Sequence, residues 1–115
     1  MLNNRALASD ATKTGFYAGV AIKAPVIFHA WIDGSSGVTG TLLLYGSNDP
    51  RALTTPDVAA AQLIATVTFT GTGTGPLAPP ESEIVYVSVP YGYFFIEISA
   101  ISGTNAAISI VAGGE

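Results

Sequence analysis

The sequence predicts an all-β protein: an antiparallel β-sandwich of seven or eight strands, with jelly-roll or Greek-key wiring and an extended N-terminal arm. Three observations carry this. Short apolar runs recur along the chain, each closed by Gly, Pro, Ser, Asn or Asp, which is the pattern of a sandwich or barrel. Most connections between them are too short for helical crossovers, so the strands must run antiparallel. Two longer connections, 46–60 and 71–83, are where the chain is expected to cross between sheets.

Residues 1–15, MLNNRALASDATKTG, are polar and aperiodic and are expected to form the arm, leaving residues 16–115 as a single sandwich domain. A first strand is expected at Phe16–Lys23, interrupted by Gly19. The clearest strand is VIFHAWID, Val26–Asp33, which sets Val26, Phe28, Ala30 and Ile32 on one face against Ile27, His29 and Trp31 on the other. Both rows are largely apolar, which predicts cover on both sides. The loop DGSSG, Asp33–Gly37, joins it to a strand at Thr39–Tyr45, and the two are expected to pair as a hairpin. Within GSNDPRALTTPDV, residues 46–58, Thr55 as N-cap, Pro56 at the first helical position and Asp57 in the first turn mark a single helical turn.

A strand at Leu63–Thr70 follows. GTGTGPLAPPESE, Gly71–Glu83, reads as a loop whose glycines alternate with threonines before Pro76, Pro79 and Pro80 stiffen the chain. IVYVSVP then sets Val85, Val87 and Val89 against Ile84, Tyr86 and Ser88. FFIEISA sets Phe94, Ile96 and Ile98 against Phe95, Glu97 and Ser99. An unpaired buried carboxylate is costly, so Glu97 assigns its own row to the outside and the Phe94 row to the core. SGTN, Ser102–Asn105, is expected to close a second hairpin with AAISIVA, whose Ile108 and Ile110 point inward. An immunoglobulin-type sandwich is the neighbouring alternative. Trp31 on an early strand suits it, but the usual cysteine pair is missing.

Composition narrows the function. Cysteine is absent, which excludes disulfide frameworks, thiolate metal sites and cysteine nucleophiles. Four Lys and Arg against eight Asp and Glu leave no electrostatic footprint for nucleic acid or for anionic membranes. No apolar run is long enough to span a bilayer, and the N-terminus lacks the apolar region of a signal peptide, so synthesis and use without Sec export are expected. Only 10% of the residues are charged, where an ordinary domain has about 25%. Such a surface is poorly suited to staying monomeric in water, which predicts that partners cover much of it.

Catalytic and metal chemistry find little footing. The single histidine, His29, lies in mid-strand, where a structural or interface role is expected rather than that of a general base. The acids Asp33, Asp49, Asp57, Glu81, Glu83 and Glu97 form no pair suited to glycoside hydrolysis. Asp33, Asn48, Asp49 and Asp57 sit in loops but lack the ligand spacing of a calcium loop. GTGTG runs into Pro-Leu-Ala-Pro-Pro rather than into a helix, so it is no phosphate loop. No enzyme activity, cofactor or metal is expected. YGSNDP, Tyr45–Pro50, reads as a strand stop built from local side-chain-to-backbone bonds. The candidate interface is aromatic: Phe16, Tyr17, Tyr86, Tyr91, Tyr93 and Phe95, with Tyr86, Tyr91, Tyr93 and Phe95 expected in one sheet region, where they close a core, meet a partner or stack a sugar.

TGTLLLYGSNDP and YGYFFIEISAISGTNAAISIV, residues 39–50 and 91–111, resemble small β-sandwich structural proteins of tailed bacteriophages. In many of those a GSND turn follows a strand, and the end of the chain is an aromatic-rich strand, an SG turn and a light last strand. The resemblance is greatest to capsid decoration (cement) proteins. It implies a non-enzymatic virion protein, made in the host cytoplasm, that sits outside the capsid and bridges subunits of the major capsid protein. It also implies contacts with other copies of itself, as a dimer or trimer. A tail or fibre module that binds a host carbohydrate or receptor is the alternative such a resemblance allows.

Overall fold

The structure is a computed structural model that describes residues 3–22, 25–34, 36–70 and 82–114. It contains the strands β1 (Asn3–Ala11), β2 (Gly15–Val20), β3 (Val26–Asp33), β4 (Ser36–Ser47), β5 (Gln62–Thr70), β6 (Ser82–Val87), β7 (Tyr93–Thr104) and β8 (Ala107–Gly114). Two short 3-10 turns, Pro50–Leu53 and Val58–Ala60, lie between β4 and β5. The strands form two four-stranded sheets, ordered β1-β8-β3-β6 (sheet A) and β2-β7-β4-β5 (sheet B). Every pairing is antiparallel, so the molecule is the expected all-β sandwich. The partners β1·β8, β2·β7, β3·β6 and β4·β5 are those of one long hairpin wrapped around a core, which is jelly-roll wiring.

This wiring corrects the expected connections. Only β4 and β5 are both consecutive in the chain and paired; every other connection passes between the sheets. The long connection 46–60 therefore stays within sheet B, and the short loops after β3 and β7 are arches rather than hairpin turns. A short Gly-containing loop suits either geometry, which is why composition alone does not separate them. Beside the arches, the start of β4 and the end of β7 approach closely. A Cβ on Gly103, whose φ is +115°, would stand 2.6 Å from the Cα of Val38, and Asn105 is also left-handed at φ 58°. The Gly71–Glu83 loop lies outside the described residues up to position 81.

The core is the space between the inner rows. Sheet A contributes Val26, Phe28, Ala30 and Ile32 from β3 and Ile108, Ile110 and Ala112 from β8; sheet B contributes Leu42, Leu44, Val67, Phe69, Phe94, Ile96 and Ile98. Phe28 meets Phe94 edge-on across the sheets at 5.1 Å between centroids. Each such side chain contributes about 1.5–3 kcal/mol on leaving water.

The expected N-terminal arm is not seen. Residues 3–11 are strand β1, an edge of sheet A paired to β8 from Asn3↔Gly114 to Ala11↔Ile108. Leu7, Ala8 and Ala11 are buried in the core. The register shifts between Ala6 and Ala8 and again between Ala8 and Ala11, and Asp10 has a left-handed φ of 51°. Such bulges break the period-two alternation that reveals a strand in a sequence. The two assignments predict different outcomes for Leu7→Ala. A buried strand residue costs about 2–4 kcal/mol in urea unfolding, whereas a solvated arm would cost nothing measurable.

Candidate interaction surface

The expected aromatic cluster is divided by the fold. Tyr86 lies on β6 in sheet A, whereas Phe16 and Tyr17 lie on β2 and Tyr93 and Phe95 on β7, both in sheet B. Phe95 is not an interface residue of the free chain, because it is 0% exposed although it sits on the outer row. The ring of Tyr45 stacks on it at 5.1 Å and 15°, and Phe16 leans against it at 6.2 Å. The first 3-10 turn folds over the same region, bringing its buried Ala52 against β2 and β7. The long 46–60 connection thus acts as a lid on one end of sheet B.

Tyr91 also serves the fold. Its ring packs edge-on to Phe94 at 6.1 Å, and Gly46 leaves room for it, since a Cβ there would stand 2.5 Å from the ring. Tyr17 packs on the core margin and donates its hydroxyl to the Lys13 carbonyl at 2.7 Å. Tyr93 is half-buried beside Ser47 in the β4·β7 register. Only Phe16 and Tyr86 of the expected set remain widely open, and they are on opposite sheets.

The broadest apolar surface is one that no single stretch of sequence displays. On the outer face of sheet A, Ile27 pairs with Tyr86, and His29 pairs with Ile84 on one side and Val111 on the other. Val111 in turn faces Ala6 of β1. Ile27, Ile84 and Tyr86 are 48%, 65% and 63% exposed, while His29, Trp31 and Val111 are half-buried between them. The His29 and Trp31 rings lie 5.2 Å apart. None of these side chains is an acid, a Lys or an Arg, and together they expose apolar area on the order of a few hundred Å². The expectation that β3 is covered on both sides holds within the chain for the Val26 row only. The Ile27 row is uncovered.

YGSNDP is occupied by its own structure. Ser47 is buried and donates to the carbonyl of Ala60 at 2.7 Å, while accepting from the amide of Asp49 at 3.0 Å. Asn48 Oδ1 accepts from the amide of Gly92 at 2.8 Å, tying the corner to the start of β7. Asp49 caps the first 3-10 turn through the Arg51 amide at 3.0 Å and holds the Arg51 guanidinium at 2.7 and 2.9 Å. The second turn is capped by Asp57, which accepts from the Ala59 amide at 2.9 Å, and not by Thr55 as expected. The turn starts at Val58, later than Pro56, and aspartate is the stronger N-cap residue. Among the described residues no three His, Asp or Glu side chains gather in a way that could hold a metal.

No protein-family model and no curated protein matches the chain. Among solved structures, the chain is similar to the SPBc2 prophage-derived protein YomS, with a TM-score of 0.52 and 12% identity over 99% of this chain and 96% of that one. It is also similar to part of a chain from infectious bursal disease virus strain Gx, with a TM-score of 0.39 and 11% identity; the match covers 99% of this chain but 32% of the viral one. The likeness to YomS is one of fold.

The hydrogen bond from the Arg51 side chain, helped by the Arg51 amide, holds the Asp49 carboxyl below its ordinary value of 3.8. Its folded-state value is therefore the depressed one. The carboxylate supports the corner fully above the unfolded-state value, and that support is lost as pH falls through the folded-state value. We expect Asp49 to titrate below the ordinary aspartate range by carboxyl NMR. Asp49→Asn should lower the melting temperature slightly near neutral pH, where the carboxylate supports the corner, and the two melts should converge as pH falls through the folded-state value.

Proposed function

We propose that this chain is a non-enzymatic virion structural protein that binds the outside of a phage capsid and stabilises it by bridging major capsid protein subunits. The observation that carries the reading is the uncharged apolar face of sheet A, formed by Ile27, His29, Trp31, Ile84, Tyr86 and Val111. The largest apolar patch on a soluble domain is often functional, and here it is free of charged side chains. Covering it against a capsid subunit releases about 25 cal/mol for each Å² of apolar area, before the cost of association. Repeated over a lattice of identical sites, a modest gain per copy becomes a large gain per shell, because every ligand that prefers the intact state adds to its stability. The fold shared with a prophage-derived protein and the resemblance of residues 39–50 and 91–111 to capsid decoration proteins support the same reading.

The test uses heads prepared without this protein. Adding back the wild-type chain should raise their melting temperature and their resistance to internal DNA pressure. Tyr86→Asp and Ile84→Asp place a charge on the face without touching the core, so the variants should fold normally yet bind heads at least about tenfold more weakly. Unchanged melting of heads with and without the wild-type protein would overturn the capsid reading. Binding to a glycan array in its place would favour a tail or fibre module.

A further inference from the structure

A strand paired on one side only presents a row of free amides and carbonyls on the other, and soluble proteins guard such edges with charges, prolines, bulges or brevity. Among the described residues the sandwich has four edge strands, β1 and β6 in sheet A and β2 and β5 in sheet B. β1 carries two register shifts together with Arg5 and Asp10. β2 is six residues long and is irregular between Tyr17 and Val20. β6 is also six residues long and contains Glu83. β5 has none of these guards over most of its length. It runs nine residues, QLIATVTFT, without a charge or a proline. From Ala65 to Thr70 it pairs residue for residue with Leu44 to Thr39, its one irregularity lying before Ala65. It is rich in the β-branched and aromatic residues that favour strand pairing.

We infer that the free edge of β5 pairs antiparallel with β5 of a second copy, about a two-fold axis at Val67, so that the two B sheets become one continuous sheet of eight strands. Three observations select a second copy as the occupant. An antiparallel pair of identical strands is self-complementary, as a closed two-fold interface requires. This register sets the exposed Thr66 opposite the partner's Thr68 on the outer face, and sets the small Ala65 opposite the partner's large Phe69 on the inner one. Threonine pairs are favourable cross-strand neighbours, and the small Ala65 leaves room for the partner's Phe69 ring. Finally, no charged residue occurs from Val58 to Pro80, so pairing here brings no like charges into contact although the chain carries a net charge of −4. The pairing is separate from the capsid reading, since it uses the edge of sheet B and leaves the outer face of sheet A open.

Sedimentation of the isolated chain over a wide concentration range tests the pairing. The wild type should reach twice the monomer mass. Thr66→Lys with Thr68→Lys puts like charges opposite one another and should raise the dissociation constant at least roughly tenfold. Tyr86→Asp, on the other sheet, should leave it unchanged. Amide hydrogen exchange of the wild type should slow over Ala65–Thr70 as concentration rises, a readout that stands even where the lysine variant fails to fold. A wild type that stays monomeric to about millimolar concentration would overturn the inference, and β5 is then open to a strand of another protein. A dimer that survives the lysines, or whose β5 amides exchange at a rate independent of concentration, would overturn it equally.

Discussion

The packing of one inner face on the other, centred on Phe28 against Phe94, is the constraint from which the rest of the structure follows. Neither sheet has a second layer to bury it, so each needs the other. The chain meets this by passing between sheets at nearly every connection. The tight corners follow from that. An arch has to turn and rise across the core thickness of about 10 Å within a few residues, which explains the left-handed Asn105 between β7 and β8. The one connection free of that duty is also the longest within the described residues. It folds back over sheet B and buries Phe95.

That asymmetry separates the two outer faces. Sheet B has the 46–60 lid at one end and a threonine-rich surface of Thr39, Thr41, Thr66, Thr68 and Thr70 at the other. Among the described residues, none forms a lid over Ile27, Ile84 and Tyr86 of sheet A, which are exposed. The same kind of residue, an outward-pointing aromatic on a strand, is thus core in one sheet and surface in the other. Phe95 and Tyr86 differ in what lies above them, not in their position in the pleat.

Legibility in the sequence follows the range of the interactions concerned. β3 is readable to its ends because its alternation is clean and Pro25 and Asp33-Gly34 bracket it. The inward row Phe94, Ile96, Ile98 is readable because Glu97 fixes the opposite row. β1 is hidden because its bulges put Leu7, Ala8 and Ala11 out of step with any single period. Strand partners are hidden because alternation records which face is buried but not which strand lies alongside. The sheet A face is hidden for the same reason, since its members come from β3, β6 and β8. The apolar second row of VIFHAWID was its one local trace.

Low charge takes on a more definite meaning once the strands are placed. β2, β4, β5 and β8 contain no Asp, Glu, Lys or Arg at all. In the remaining strands the charges fall on the edge strands β1 and β6, at the end of β3, or at Glu97 on the outer face of β7. Charge therefore sits mostly at rims and turns, with Glu97 on the outer face of the central strand β7 the exception. Two neutral surfaces of different kinds remain away from it. One is a side-chain face on sheet A, which selects its partner by shape and apolar contact. The other is a backbone edge on β5, which selects a strand by register. Under the two proposals above, one copy would hold a neighbour of its own kind through β5 and a capsid subunit through sheet A, an arrangement that would bridge a repeating array.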